Sequence, residues 1–453
     1  MKRFFQGLVV VSCLALTGPA YAERQLLTRD QALAAAITAL NERKPQVSLA
    51  LSNLVLSQNP KDVQAHILRS RALRVLGQTD AARQAAQQAN SLADTRQERF
   101  GAEMALGQAQ ASGGHFISSK FWLRQAYGDA STEKEQQIAA NIYRMVRANS
   151  PISFQGSFGF TPNSNVNNGS SADVIWLGGL PFTPLIYSGY TASASAALSY
   201  RFSGDQGNAS YLGLKASGFV HFLDADSRTL IETNANPDDT VHDFDFVSLE
   251  GTFRQHYNMG NSRGLDLTAS LGHSWYGWQS YANFATLGAE YTMPLGSRGN
   301  SLALFANTRG EVYTDATRDP IYSIEAGPRF GFKLADGSKA SLSFSGQGAL
   351  SPDENSQFFG GRIKASYELG HPVMGVGLSV SGELSYRDYP VSPYDVNGRQ
   401  DFHLGGKVNA TLSNFNFMGF SPVLTAEIAH TYSSFAAYER DTKSIGLEFQ
   451  SRF

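Results

Sequence analysis

Three things are scarce in this 453-residue chain: cysteine, charge and long apolar runs. Its one cysteine is Cys13, so disulfides, a thiol nucleophile and cysteine-ligated metals are excluded from the folded part. Charged residues make up 17%, against roughly 25% in an ordinary soluble domain. A formal net charge of -2 gives neither a basic excess for nucleic acid nor an acidic excess for a solvating tail. The longest apolar run, Leu8 to Leu16, is shorter than the roughly 20 residues of a spanning helix. Any membrane role must therefore use strands. The length allows two or three domains, or one large barrel with an accessory domain.

The N-terminus reads as a removed export signal over residues 1–22. Lys2 and Arg3 form its positive region, Leu8 to Leu16 its apolar region, and Ala20-Tyr21-Ala22 its cleavage site. A rival reading takes Val10-Val11-Ser12-Cys13 as a lipoprotein box with Cys13 acylated, which would leave the downstream site unused.

From 23 to 150 the chain is rich in Ala, Leu, Gln and Arg, with apolar residues three and four apart, as in Leu33, Ile37 and Leu40. This predicts a helical domain with stops at Pro45, Asn59-Pro60, Gly77 and Gly113-Gly114. Ser70, Gly77, Ala82 and Ala89 fall at the small-residue positions of a tetratricopeptide (TPR) unit, and Leu106, Gly107, Gly114, Phe116 and Ala126 at the equivalent positions of the next. An array of Ala-rich helical hairpins of another kind is the alternative, because the aromatic positions of the repeat are largely missing. A TPR array would offer a concave face to peptides or partner proteins.

At Pro151 the hydrophobic period changes to two. Ile152, Phe154, Gly156, Phe158 and Phe160 alternate with Ser153, Gln155, Ser157 and Gly159, and the last stretch repeats this with Ile445, Leu447, Phe449 and Phe453. Fourteen such segments fill 151–453, the even number required of a bacterial single-chain barrel. Compact turns, such as Asn261 to Gly264 and Asp336 to Ser338, alternate with longer loops, notably 162–188, 224–242 and 389–398. That asymmetry predicts an α + membrane β protein: an N-terminal helical array followed by a 14-stranded antiparallel transmembrane β-barrel in the outer membrane, both barrel ends and the helices being periplasmic. A soluble sandwich would also alternate, but would not sustain strands this long.

Charge assigns the faces. Arg309 and Glu311 lie opposite Leu302, Leu304 and Val312, while Glu325, Arg329 and Lys333 lie opposite Ile324, Phe330 and Phe332. Arg362, Glu368, Glu383, Arg387, Asp401 and Lys407 follow the same rule. A Lys or Arg facing lipid at the midplane would cost about 2–4 kcal/mol, so these side chains are assigned to the lumen. With Arg201, Lys215, Arg254, Lys364, Arg399 and Arg452 against Glu250, Asp266, Glu290, Glu427 and Glu448, the lining comes out nearly neutral. Weak ion selectivity is the expectation, whereas a conduit for an acidic polysaccharide would be strongly basic.

The local motifs carry a resemblance. The run Phe158 to Asn168, with Asn163, Ser164, Asn165 and Asn167 leaving an aromatic strand, resembles the first barrel strand of the surface lipoprotein assembly modifier family. Arg399-Gln400-Asp401, Gly419-Phe420-Ser421-Pro422 and Tyr432-Ser433-Ser434-Phe435 resemble that family's last strands, although Ser434 stands where Asn is usual. Terminal Phe453 is similar to the aromatic end of outer-membrane barrels, and with Phe449 it would form the assembly signal; Ser451 departs from the pattern. The resemblance implies a monomeric translocator that delivers lipoproteins or secreted proteins to the surface. Its partners would be outer-membrane lipid, the cargo and the barrel-assembly machinery, with no nucleic acid, cofactor or metal. A polysaccharide-export porin is the runner-up, usually with sixteen strands and a longer repeat array. A passive diffusion porin would not need the helices.

Catalysis has little support. His273 falls on an apolar strand face, and neither a G-x-S-x-G elbow nor an H-E-x-x-H pair occurs. Asp238, Asp239, His242, Asp243 and Asp245 cluster at one outer loop, where carboxylate oxygens could hold calcium, but without EF-hand spacing a solvated acidic loop is the plainer expectation. The Asn163 to Asn168 run has a plain alternative too, shaping the exit from the strand.

Overall fold

The structure, a computed structural model, describes residues 27–205, 207–234, 240–296, 298–395, 397–412, 415 and 420–451. The export signal with Cys13, and also Asp238, Asp239, Gly419, Arg452 and Phe453, lie outside them.

Seven helices come first: α1 (Arg29–Asn41), α2 (Pro45–Gln58), α3 (Val63–Val75), α4 (Thr79–Leu92), α5 (Arg96–Ser112), α6 (Phe116–Asp129) and α7 (Glu133–Asn149). Their starts are set locally. Thr28, Thr95 and Thr132 each form a capping box with Gln31, Glu98 and Glu135, satisfying amide groups the first turn leaves open. Gly77 and Gly114, both at φ +78°, turn the chain out of α3 and α5. Pro45 acts differently from expectation. It opens α2 at a position where its missing N–H costs nothing, and the turn before it is made by Arg43 at φ +59°.

Small residues let the helices approach one another. Ala86, Ala89, Ala102, Ala105 and Leu106 form one buried cluster with Val63 and Ile67, and Met104, Leu123, Ala126, Ala139, Tyr143 and Val146 form the next. A Cβ at Gly107 would lie 2.7 Å from Leu123 Cγ, so only glycine permits the α5–α6 contact, and Ser119 Oγ donates to Gly107 O at 2.7 Å across it.

Ser150 and Pro151 link α7 to β1 (Ile152–Asn163). A small hairpin, β2 (Ile175–Leu177) and β3 (Leu180–Phe182), interrupts the first loop. The other wall strands are β4 (Gly189–Gly204), β5 (Asn208–Leu223), β6 (Phe246–Asn258), β7 (Gly264–Tyr276), β8 (Gln279–Leu295), β9 (Asn300–Tyr313), β10 (Ile321–Lys333), β11 (Lys339–Leu350), β12 (Phe358–Glu368), β13 (Val376–Tyr389), β14 (Arg399–Leu412), β15 (Phe420–Ser433) and β16 (Arg440–Ser451). All but β2 and β3 close into one antiparallel barrel of fourteen strands, with β1 paired to both β4 and β16. The expected strands are present to within a few residues. The hairpin β2–β3 and a helix, α8 (Ala225–Asn234), were not expected. At one end of the barrel, Val166, Tyr187, Leu223 and Ile231 pack together with Val241 and Phe244, fastening the first two long loops to each other.

The β1–β16 seam is held by the backbone pairs Ser157–Gln450 to Phe160–Leu447. Beyond Phe160 and Leu447, β1 runs on to Asn163 and β16 begins earlier at Arg440, without further pairing among the described residues.

Candidate functional site: the charged wall and its helical mouth

Ladder register decides which side chains share a face, because directly paired residues point the same way. Arg309 pairs with Ser323, Glu325 with Gln347, Arg362 with Ser345 and Ser385, Glu383 with Lys364, and Lys407 with Ser381 and Glu427. Following these rows puts Arg309, Glu311, Glu325, Arg329, Lys333, Arg362, Glu368, Glu383, Arg387, Asp401 and Lys407 on one face. Several ion pairs on that face skip a strand. Arg329 reaches Glu290 past β9 at 3.1 Å, Arg362 reaches Glu325 past β11 at 3.1 Å, and Lys407 reaches Glu448 past β15 at 3.4 Å. Such reach suits a concave surface. The other face carries Leu271, Leu287 and Ile445, which are 72%, 63% and 71% exposed. An apolar outside around a polar inside is the pattern of a barrel immersed in lipid.

The inward groups are tied into a network. Arg362 bridges Glu325 and Glu383, at 3.1 and 2.9 Å, and Lys364 reaches Glu383 at 3.3 Å. Arg309 forks onto Glu311 at 2.9 and 3.1 Å and lies 3.8 Å from the centre of the Phe284 ring. Arg387 sits over Phe358, and Glu368 meets Lys339 at 3.5 Å where both are well exposed. Asp401 accepts from Ser433 Oγ at 2.7 Å and lies 3.2 Å from Arg399, whose guanidinium is sandwiched between the Tyr389 and Tyr438 rings. Lys333 is exposed beside the turn to β11 and is not tied into these pairs.

The asparagine run works as a clamp. Asn163 Oδ1 accepts from Asn165 N–H, and Asn165 exchanges two hydrogen bonds with the Gly169 backbone. Asn167 donates to Leu185 O and accepts from Tyr187 N–H, pinning both ends of the loop, while Ser164 stays exposed. Phe449 stacks on Phe158 across the seam at 4.6 Å.

The acidic loop differs from expectation. Asp245 is buried, 1% exposed, and not solvated: its carboxylate accepts from the His221 amide at 2.8 Å, from Trp278 Nε1 at 2.9 Å and bonds His242 Nδ1 at 2.9 Å. It ties the loop before β6 to β5 and to the tight Gly277-Trp278 turn. No group of three or more His, Cys, Asp or Glu placed to hold a metal occurs among the described residues. His273 faces outward, bonded to Asn283 at 2.9 Å and Ser280 at 3.0 Å.

Sequence reasoning missed the mouth. At the end where α7 joins β1, Lys120 of α6 donates to Ile152 O at 2.7 Å, Arg201 donates to Asn149 O at 3.5 Å, and Arg124 lies 5.6 Å from the Phe420 ring. The helices are thereby fixed against the barrel rim, and Arg147 of α7 reaches the inner faces of β1, β4 and β5. Two adjoining cavities of ≈ 560 and ≈ 460 Å³ lie there, both lined by Arg147, Ser153, Gln155, Ala197 and Lys215. No periodicity or motif could have announced this, since it depends on how a helix end meets a strand rim.

No family model and no curated protein matches the chain. Among solved structures it is similar to CdiB from Acinetobacter baumannii, at 11% identity and a TM-score of 0.36, covering 66% of this chain and 60% of that one. It is also similar to a BenF-like porin from Pseudomonas fluorescens Pf-5, at 9% identity and a TM-score of 0.35, covering 66% and 98%. The beta domain of the Bordetella autotransporter BrkA is matched at 13% identity and a TM-score of 0.29, covering 67% and 100%.

Proposed function

We propose that this chain is an outer-membrane translocator that helps deliver lipoproteins or secreted proteins to the cell surface, and that it catalyses no reaction. The apolar belt sits in outer-membrane lipid, the helices lie in the periplasm, and the barrel supplies the path or a seam for insertion. One observation supports this reading above the others: the helical array is anchored on the barrel mouth, with α6 and α7 placing side chains at the inner wall. A passive porin has no use for such a module. A helical array of TPR type would there capture cargo or its chaperone and hand it to the barrel. The bracing of Arg309, Arg329, Arg362 and Lys407 by carboxylates leaves little net field along that side of the wall, which suits a polypeptide path better than a polyanion channel.

The test is surface proteomics on cells with and without the protein, alongside uptake of a small hydrophilic solute. Deletion is expected to strip one or a few specific proteins from the surface and to leave solute uptake unchanged. Removing residues 27–149 alone should have the same effect with the barrel still inserted. Loss of a secreted polymer with a steady anion-selective conductance would favour the polysaccharide exporter.

A further inference from the structure

Charge along the inner wall is balanced on one side of the barrel and unbalanced at the mouth. From β8 to β16, Arg309, Arg329, Arg362, Lys364 and Lys407 each lie within 3.4 Å of a carboxylate. The two mouth cavities are lined by Lys120, Arg147, Lys215 and Arg254, and no carboxylate lines either of them among the described residues. Arg254 has Asp266 no nearer than 3.9 Å, and the Lys120 amine donates only to neutral oxygens, Ile152 O at 2.7 Å and Ser150 Oγ at 3.4 Å. Burial pushes the Lys120 amine below its ordinary range, and the guanidinium groups of Arg124 and Arg147 push it the same way. Glu250, opposite Lys215 in the β5–β6 ladder, and Asp266 beside Arg254 offset part of this charge and leave the four cations in excess. A cluster with a net excess of like charge, one member of it partly desolvated, is a site for an anion.

The remaining lining indicates the class of anion. Ser153, Gln155, Ser157 and Ser195 offer hydrogen bonds along strand backbones. Each of the two tyrosines of the cavities already carries a guanidinium over its ring, Tyr143 that of Arg124 at 5.3 Å and Tyr211 that of Arg254 at 4.3 Å, so the aromatic surface here is engaged by cations. Recognition by spaced cations and polar side chains suits carboxylates on an extended peptide. We infer that this antechamber binds acidic segments of the exported polypeptide, with Arg147, Lys215, Arg254 and Lys120 receiving Asp and Glu side chains as the chain passes from the helices into the barrel. The inference rests on the translocation reading and supplies its substrate chemistry.

The experiment uses the purified full chain in detergent and a fluorescent poly-L-glutamate of about 20 residues, followed by anisotropy. Binding should weaken steeply as salt rises from roughly 50 to 300 mM. The double variant Arg147→Gln/Lys215→Gln should lose about tenfold or more in affinity, whereas Arg318→Gln, at the opposite end of the barrel, should bind like the parent. Should the double variant fail to fold, as judged by heat-modifiable migration, Arg254→Gln alone should still weaken binding about threefold. Binding that ignores these substitutions, or a preference for polygalacturonate over poly-L-glutamate, overturns the inference. If that occurs while deletion of the protein still strips proteins from the surface, the antechamber assignment alone falls. If poly-L-glutamate binds as expected but no surface protein is lost on deletion, the translocation reading is what fails, and with it the identity of the occupant.

Discussion

The helical array and the barrel solve the burial problem in opposite senses. In the array, small apolar residues such as Ala86, Ala105 and Ala126 are shut inside, and most charged residues face water, with Asp62 and Glu103 as buried exceptions. In the barrel, Leu271, Leu287 and Ile445 are turned outward, and Arg309, Glu325 and Arg362 are turned inward. The same side chain therefore has opposite consequences in the two regions. An exposed leucine is incidental on a helix surface, but on the wall it is the contact that keeps the barrel in lipid. A buried charge is a liability in the array, while in the barrel paired charges brace the lumen.

The sharpest way to break this comparison is to put one residue type in both places. Leu271→Arg, near the middle of β7, should cost about 2–4 kcal/mol by setting a cation in the hydrocarbon. The barrel should then fail to show heat-modifiable migration in outer-membrane fractions. Ile37→Arg, on an exposed helix face, should change stability by less than about 0.5 kcal/mol. Equal effects of the two would deny that the outer wall faces lipid.

Next in size is Gly107→Val. Its side chain would drive into Leu123, whose Cγ and Cδ2 lie 2.7 and 2.9 Å from where a Cβ would stand. Overpacking of this kind costs about 1–3 kcal/mol, so thermal unfolding of the helices followed at 222 nm should move down while barrel migration stays normal. In the wall, Arg362→Ala should leave Glu325 without its cation and Glu383 with Lys364 alone, and lower the barrel's unfolding temperature by an amount worth about 1–2 kcal/mol. Arg362→Lys should recover part of that, whereas a result indistinguishable from the parent would mean that the network adds nothing.

The smallest effect is one of pH, and it belongs to the array. Glu103 of α5 is 5% exposed, and burial, aided by the Asp129 carboxylate and opposed by Arg99, holds its pKa up to about 8. The folded state thus keeps a proton that the unfolded chain has released by about pH 4.5. Its contribution to stability is complete below that value and disappears as pH rises towards 8. The helices should melt at a higher temperature at pH 5 than at pH 8, and Glu103→Gln should flatten that slope. A parent protein without the slope would show that Glu103 is ionised in the fold.

Much of this was legible in the residues, because lipid and water impose their demands one side chain at a time. A period of two over 151–453, with charge on alternate positions, was enough to foresee fourteen strands and to place Arg362 and Glu383 on the same side as Arg309. The caps at Thr95 and Thr132 and the turns at Gly77 and Gly114 act within a few residues of themselves. Other features required the chain to meet itself across long separations. Asp245 looked like a solvated acid until Trp278 and the His221 amide closed on it, and the Asn165 and Asn167 clamps depend on partners that the loop brings back. The basic mouth is the clearest case. Arg147 and Lys215 are 68 residues apart in an almost neutral sequence, and no local rule separates their charges from the carboxylates elsewhere. Alternation determined which way each side chain points; only the docking of α7 on the barrel rim decided which cations would gather at the mouth in excess of the carboxylates there.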